Sequence, residues 1–126
     1  MGKKNIKYII IVAILAVIAG VVFVLLNNNI PCDSDIILFY GLGCPHCANV
    51  DKYMKDNAVK EKITICKKEV FYHKDNAKVF EEKAVACGLP TENLGVPFLW
   101  DGSGQFPKCY SGDQDIINFF KEKIGK

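Results

Sequence analysis

The stretch IILFYGLGCPHCANV, Ile36 to Val50, decides how this chain is read. Ile36 to Tyr40 form a continuous apolar run of β-branched and aromatic residues, which predicts a central strand buried on both faces. Gly41-Leu42-Gly43 turns the chain. Pro45 suits the first turn of a helix, where its missing N–H costs nothing. Val50, Tyr53, Met54 and Ala58 then recur at helical spacing, which predicts a helix over 45–59. Cys44 and Cys47 therefore fall at a strand-to-helix junction, where unpaired backbone N–H groups and the positive end of the helix dipole converge. Such a place favours a thiolate at Cys44. Cys47 lies one turn further in and is the more shielded. An exposed attacking sulfur and a shielded resolving sulfur are what two-step thiol-disulfide exchange requires. Pro45 and His46, between them, tune the thiolate, His46 by positive charge or by a hydrogen bond to the same sulfur.

Downstream, Ile63 and Ile65 alternate with Thr64 and Cys66, which predicts a second strand within 63–71. Ala77, Phe80, Ala84 and Cys87 mark one face of a helix over 75–87, closed by Gly88. Pro97 opens a strand that turns at Asp101-Gly102-Ser103-Gly104. Its partner, roughly 105–110, contains Pro107 and suits a sheet edge. Ser111-Gly112-Asp113-Gln114 carries helix-start signals, and Ile117, Phe120 and Ile124 predict the apolar face of a last helix. The order strand, helix, strand, helix, hairpin, helix predicts an α/β fold: a four-stranded mixed sheet with helices on both faces, its first two strands parallel.

Upstream, Tyr8 to Leu26 is an uncharged run of 19 residues. At roughly 1.5 Å per residue it just crosses a hydrocarbon core of about 30 Å. Lys3, Lys4 and Lys7 precede it and uncharged Asn27-Asn28-Asn29 follow, so the positive-inside bias keeps the N-terminus cytoplasmic and exports the rest. No small-residue cleavage site follows Leu26, which favours an uncleaved anchor over a signal peptide. The expected organisation is a cytoplasmic N-terminus (1–7), a transmembrane helix in the bilayer (8–26), a linker (27–34) and a folded domain (35–126). The net charge of +2 arises in the lysine-rich head. Beyond Leu26 lysines and acids nearly balance and arginine is absent, so nothing supports nucleic-acid binding.

All six cysteines lie beyond the apolar run, on the side where disulfides are stable. Cys32, in the linker, is free to pair between molecules. Cys66 reads as a buried thiol. Cys87 and Cys109 flank the Pro97 segment and read either as a structural disulfide or as free thiols. A Cys-x-x-Cys pair also supplies half of a zinc site, but His73, Cys66, Cys87 and Cys109 offer no second close pair. No metal or cofactor is therefore expected beyond the redox-active disulfide Cys44–Cys47.

CPHC after ILFYGLG, with GVPFLW about fifty residues on and CYSGDQDII beyond, resembles the thioredoxin superfamily over roughly 35–125. Pro45-His46 is similar to the dipeptide of the periplasmic disulfide oxidases of the Dsb type, whereas the length and tail are similar to glutaredoxins. The resemblance implies a thioredoxin-like fold and a cis peptide bond before Pro97, with the loop packed on the cysteine pair. It also implies that the backbone of Val96 binds an incoming peptide as an added strand. Leu38 stands where thioredoxins carry a buried acid, so proton transfer at Cys47 needs water or another group. No basic residue near Gly41 offers itself to glutathione, although Ser111-Gly112-Asp113 resembles part of a glutathione site.

The leading expectation is a membrane-anchored, extracytoplasmic thiol-disulfide oxidoreductase, favoured as an oxidant. Its partners would be thiol-containing exported proteins and a membrane redox partner. A soft-metal carrier using Cys44 and Cys47, and a redox-inactive interaction domain on a membrane stalk, are the alternatives.

Overall fold

The structure is a computed structural model that describes residues 2–26 and 32–125. The chain divides into two compact units, 1–31 and 32–126. In the first, a single helix, α1 (Lys3–Leu26), takes in the apolar run and all three flanking lysines. It is long and apolar enough to cross a membrane, and none of its residues is buried within the protein. The expected linker falls partly outside the described residues, at 27–31.

In the second unit the elements are β1 (Ile36–Tyr40), α2 (Pro45–Asp56), α3 (Val59–Lys62), β2 (Cys66–Glu69), α4 (Lys74–Ala86), β3 (Phe98–Asp101), β4 (Lys108–Ser111) and α5 (Asp113–Ile124). They form a four-stranded mixed sheet in the order β2-β1-β3-β4. β1 and β2 run parallel, with Ile37 opposite Cys66 and Tyr40 opposite Glu69. β3 lies antiparallel to β1 and pairs β4 as a hairpin.

The period of two in β1 sorts its side chains to both faces. Ile36 and Leu38 join Val50, Met54, Val59, Leu99, Ile116, Phe119 and Phe120, a core shared with α2, α3 and α5. Ile37 and Phe39 join Cys66, Phe80, Ala84 and Phe98 on the α4 side. There the rings of Phe39 and Phe98 each lie 5.0 Å from that of Phe80. Full burial of each large apolar side chain contributes about 1.5–3 kcal/mol, so both faces hold β1 in place.

Several boundaries differ from those the sequence predicts. The helix expected over 45–59 ends at Asp56, where Asn57 caps it and its side-chain amide bonds the Tyr53 carbonyl at 3.0 Å. Ala58 then adopts a left-handed conformation (φ 49°) and a separate short helix follows. The buried seam of α5 is Ile116, Phe119 and Phe120: Phe120 is buried as expected, Ile116 takes the place of Ile117, and Phe119 joins them. Ile117 is half-buried, and Ile124 packs only at the margin of the core. β2 is confined to four residues, and Ile63 and Ile65 pack on the first core from outside the strand.

The cysteines also correct two expectations. Cys32 is bonded to Cys66 within the chain, so it is not left for a second molecule and Cys66 is not a free thiol. The parallel pairing of β2 with β1 brings Cys66 next to the segment entering β1, a contact invisible in residue spacing. Cys87 is bonded to Cys109 and ties the end of α4 to β4.

The Cys32–Cys66 link spans 34 residues. Replacing both cysteines by serine should lower stability by about 3–4 kcal/mol, the loop-closure value for a cross-link of that span. Urea unfolding without reductant measures it. The difference should vanish when both proteins are fully reduced, and an unchanged midpoint without reductant would contradict the pairing.

Candidate functional site

Four segments meet at the C-terminal end of β1. The chain leaves the strand at Tyr40, turns with the Cys44 N–H bonded to the Gly41 carbonyl (3.2 Å), and starts α2 at Pro45. Cys44 is the N-cap residue, in extended conformation. Its Sγ accepts the backbone N–H of Cys47 at 3.2 Å, the bond an N-cap side chain makes to the third helical residue. Pro45 fills the first helical position, as expected.

The two sulfurs are unequal. Cys44 is half-buried, whereas Cys47 is only 4% exposed. Burial pushes the Cys47 thiol up from 9.0 to about 12, assisted by its hydrogen bond to Cys44 and by the negative charges of Cys44 and Asp51. The Gly41 backbone donates to the Cys47 sulfur and works in the opposite sense. At neutral pH Cys47 is therefore a protonated thiol.

The peptide bond Val96–Pro97 is cis. It brings the Val96 carbonyl to 3.6 Å from Cys44 Sγ, where it accepts the thiol hydrogen. Pro97 is buried, and its own carbonyl accepts the Gly112 N–H at 3.0 Å, which sets the start of α5 beside the cysteine pair. The structure thus brings together Cys44, Pro45, His46, Cys47, Val96 and Pro97.

The hydrogen bond that His46 makes is to a carboxylate, not to a sulfur. Its Nδ1 lies 3.1 Å from Asp113 Oδ2, which also accepts from Asn49 Nδ2 at 2.7 Å. The Asn49 bond first, and then that of His46, hold the Asp113 carboxyl below its usual range. An ionised carboxylate only accepts, so Nδ1 carries the proton and Nε2 is left outward. Asp113 thus ties the start of α5 to two side chains of α2. In the sequence Asp113 stands within a helix-start signal and within the stretch that resembles part of a glutathione site, and neither points to a partner on α2. The spacing of His46 and Asn49, three apart on one helix face, was the available clue that they share a partner.

A second residue carried no sequence signal. Glu69, at the end of β2, is 5% exposed. Its carboxylate accepts from the backbone N–H of Leu42 (3.3 Å), Phe71 (2.9 Å) and Tyr72 (2.9 Å) and from His73 Nδ1 (2.9 Å). Burial alone would raise this acid; the His73 bond and the three backbone bonds outweigh it and bring it down from 4.5 to about 2. The turn that Glu69 organises lays the Phe71 ring on Gly41, where a Cβ would come within 2.2 Å of it.

Among the described residues no group of three or more His, Cys, Asp or Glu side chains is placed to hold a metal ion. Cys66, Cys87 and Cys109, three of the further ligands the sequence offered, are consumed in disulfides, and His73 bonds Glu69. Comparison with protein-family models, with curated proteins and with solved structures finds no match.

The depressed Glu69 acidity sets a pH test. Its contribution to stability is whole above pH 4.5 and is lost as the pH falls from there through about 2. Glu69→Gln should therefore unfold at lower urea than wild type at neutral pH, and the gap should close across that acid window. A gap independent of pH would mean that the carboxylate charge is not what the four donors hold.

Proposed function

We propose that this chain is a membrane-anchored thiol-disulfide oxidoreductase of thioredoxin-like fold, working through Cys44 and Cys47. One observation carries the reading: the sulfurs are asymmetric. Cys44 is accessible, at a helix start, with a backbone N–H directed at its sulfur. Cys47 is enclosed behind it, with its thiol at about 12. The mixed sheet, the cis bond before Pro97 and the helix order are compatible with that fold.

In the oxidising direction a substrate thiolate attacks Cys44 Sγ of the Cys44–Cys47 disulfide. A mixed disulfide forms and the electron pair leaves on Cys47, which takes up a proton as burial demands. A second substrate thiolate then attacks the substrate sulfur and releases Cys44 as a thiolate. Substrate loses two electrons and two protons; the protein takes both electrons and one proton, as a Cys44 thiolate and a Cys47 thiol, and the other proton goes to solvent. The helix start and the Cys47 N–H stabilise the released Cys44 thiolate, and a stabilised reduced form makes the stronger oxidant. A membrane redox partner must then remove the two electrons. Loss of the Cys44 hydrogen frees the Val96 carbonyl, which is then available to accept from a substrate backbone.

α1 supplies the anchor, and its lysines favour a cytoplasmic N-terminus with the domain outside. The two disulfides, Cys32–Cys66 and Cys87–Cys109, suit an oxidising compartment. The substrates are then exported proteins bearing thiols. No observation favours the soft-metal reading.

The test is the fate of each serine variant. Cys47→Ser keeps the nucleophile but cannot release its partner, so mixed disulfides with exported proteins should accumulate on Cys44. Cys44→Ser should trap at least about tenfold less, because the remaining sulfur is enclosed and protonated. Non-reducing gels with mass identification of partners read the outcome. Equal trapping by the two variants, or none by either, would overturn the exchange mechanism.

A further inference from the structure

The proposed exchange leaves one buried ionised group without a task. Glu69 lies outside the Cys-x-x-Cys motif, yet its bonds reach two segments of the site: Leu42, two residues before Cys44, and the turn at Phe71 and Tyr72. We propose that Glu69 is a positioning residue for the cysteine pair, a latch that holds the Gly41-Leu42 loop so that the Gly41 carbonyl keeps Cys44 at the helix start, with its sulfur on the Cys47 N–H.

Three observations carry this, and all rest on the exchange reading. Gly41 is fixed from both sides. Its peptide bond to Leu42 ends in an N–H held by the Glu69 carboxylate, and its α-carbon is covered by the Phe71 ring, itself seated by the same carboxylate through the Phe71 N–H. Next, the Gly41 carbonyl accepts the Cys44 N–H at 3.2 Å, and the Cys44 sulfur in turn accepts the Cys47 N–H at 3.2 Å. A shift of this one residue therefore reaches both cysteines. Last, the Glu69 carboxylate bonds Leu42, Phe71, Tyr72 and His73 and neither cysteine, so it reaches the pair through the loop. Asn76 Nδ2 bonds the Glu69 carbonyl at 2.9 Å and anchors the latch to α4.

The expected direction follows from which redox state uses the bond. A thiolate sulfur accepts an N–H better than a disulfide sulfur does, so the Cys47 N–H on the Cys44 sulfur favours the reduced pair. Loosening the loop withdraws that contact and makes the Cys44–Cys47 couple harder to reduce.

The full chain in detergent micelles, equilibrated with graded dithiothreitol and analysed by peptide mass, gives the equilibrium constant for reduction of Cys44–Cys47. Two electrons and two protons pass from the dithiol reagent, which becomes its cyclic disulfide. Glu69→Gln should lower that constant about three- to tenfold, the size of one hydrogen bond, and tenfold corresponds to about 30 mV. His73→Ala removes one side-chain donor and keeps the three backbone bonds, so it should stay within about twofold of wild type. If Glu69→Gln does not fold, Glu69→Asp carries the test, with a shift in the same direction. An unchanged constant in whichever Glu69 variant folds overturns the latch alone, as does a His73→Ala shift equal to that of the Glu69 variant. A wild-type chain that never forms the Cys44–Cys47 disulfide overturns the exchange reading, and the latch with it.

Discussion

A backbone N–H directed at a sulfur, Cys47 to Cys44 at 3.2 Å, is the contact on which the site depends. It exists only because α2 begins at Pro45, and α2 begins there only because β1 delivers the chain to the sheet end at Tyr40 and a three-residue turn reverses it. β1 is fixed in turn by apolar side chains on both faces, Ile36 and Leu38 on one and Ile37 and Phe39 on the other. Hydrophobic burial thus sets the position of one N–H, and the burial of Cys47 behind it makes the second cysteine chemically unlike the first.

The same contact explains why the remaining parts gather where they do. β3 runs antiparallel to β1, so its start at Phe98 lies at the end where β1 finishes. The residues just before it, Val96 and Pro97, arrive beside Cys44 with the carbonyl turned toward the sulfur. The bond from Gly112 to Pro97 then brings in α5 and Asp113. The disulfides are built elsewhere. Cys66 pairs in register with Ile37, three residues down the strand from Tyr40, and Cys109 pairs with Trp100 on the outer side of β3. The four cysteines that brace the fold are thereby kept apart from the two that remain free thiols.

Local chemistry made much of this legible in the sequence. The unbroken apolar run IILFY, Pro45 at a first helical position and Gly88 after α4 each fix a feature within a few residues, and all three stand where the periodicity put them. The apolar run at Tyr8 to Leu26 was equally plain. Features set by residues distant in sequence were not legible. Nothing near Cys32 points to Cys66, since their contact arises from strand pairing. Glu69 follows two lysines and looks like part of a solvated strand end; it is buried because the next four residues fold back and supply its donors. In α5 Phe120 is buried as expected, but Ile116 replaces Ile117, because Ile116, Ile117, Phe119 and Phe120 are all apolar and docking against α2 and the sheet, not helical period, selects among them.

The central claim is that two cysteines three residues apart have been made unequal by their place in the fold. Alkylation of the reduced chain with iodoacetamide, followed site by site by peptide mass across neutral and alkaline pH, tests that claim most directly. The account predicts that Cys44 reacts at least about tenfold faster than Cys47 near neutrality, because only a thiolate is nucleophilic and only Cys44 is reachable. Cys47 should gain reactivity only as the pH climbs toward about 12. Equal rates at the two positions near neutral pH would contradict it.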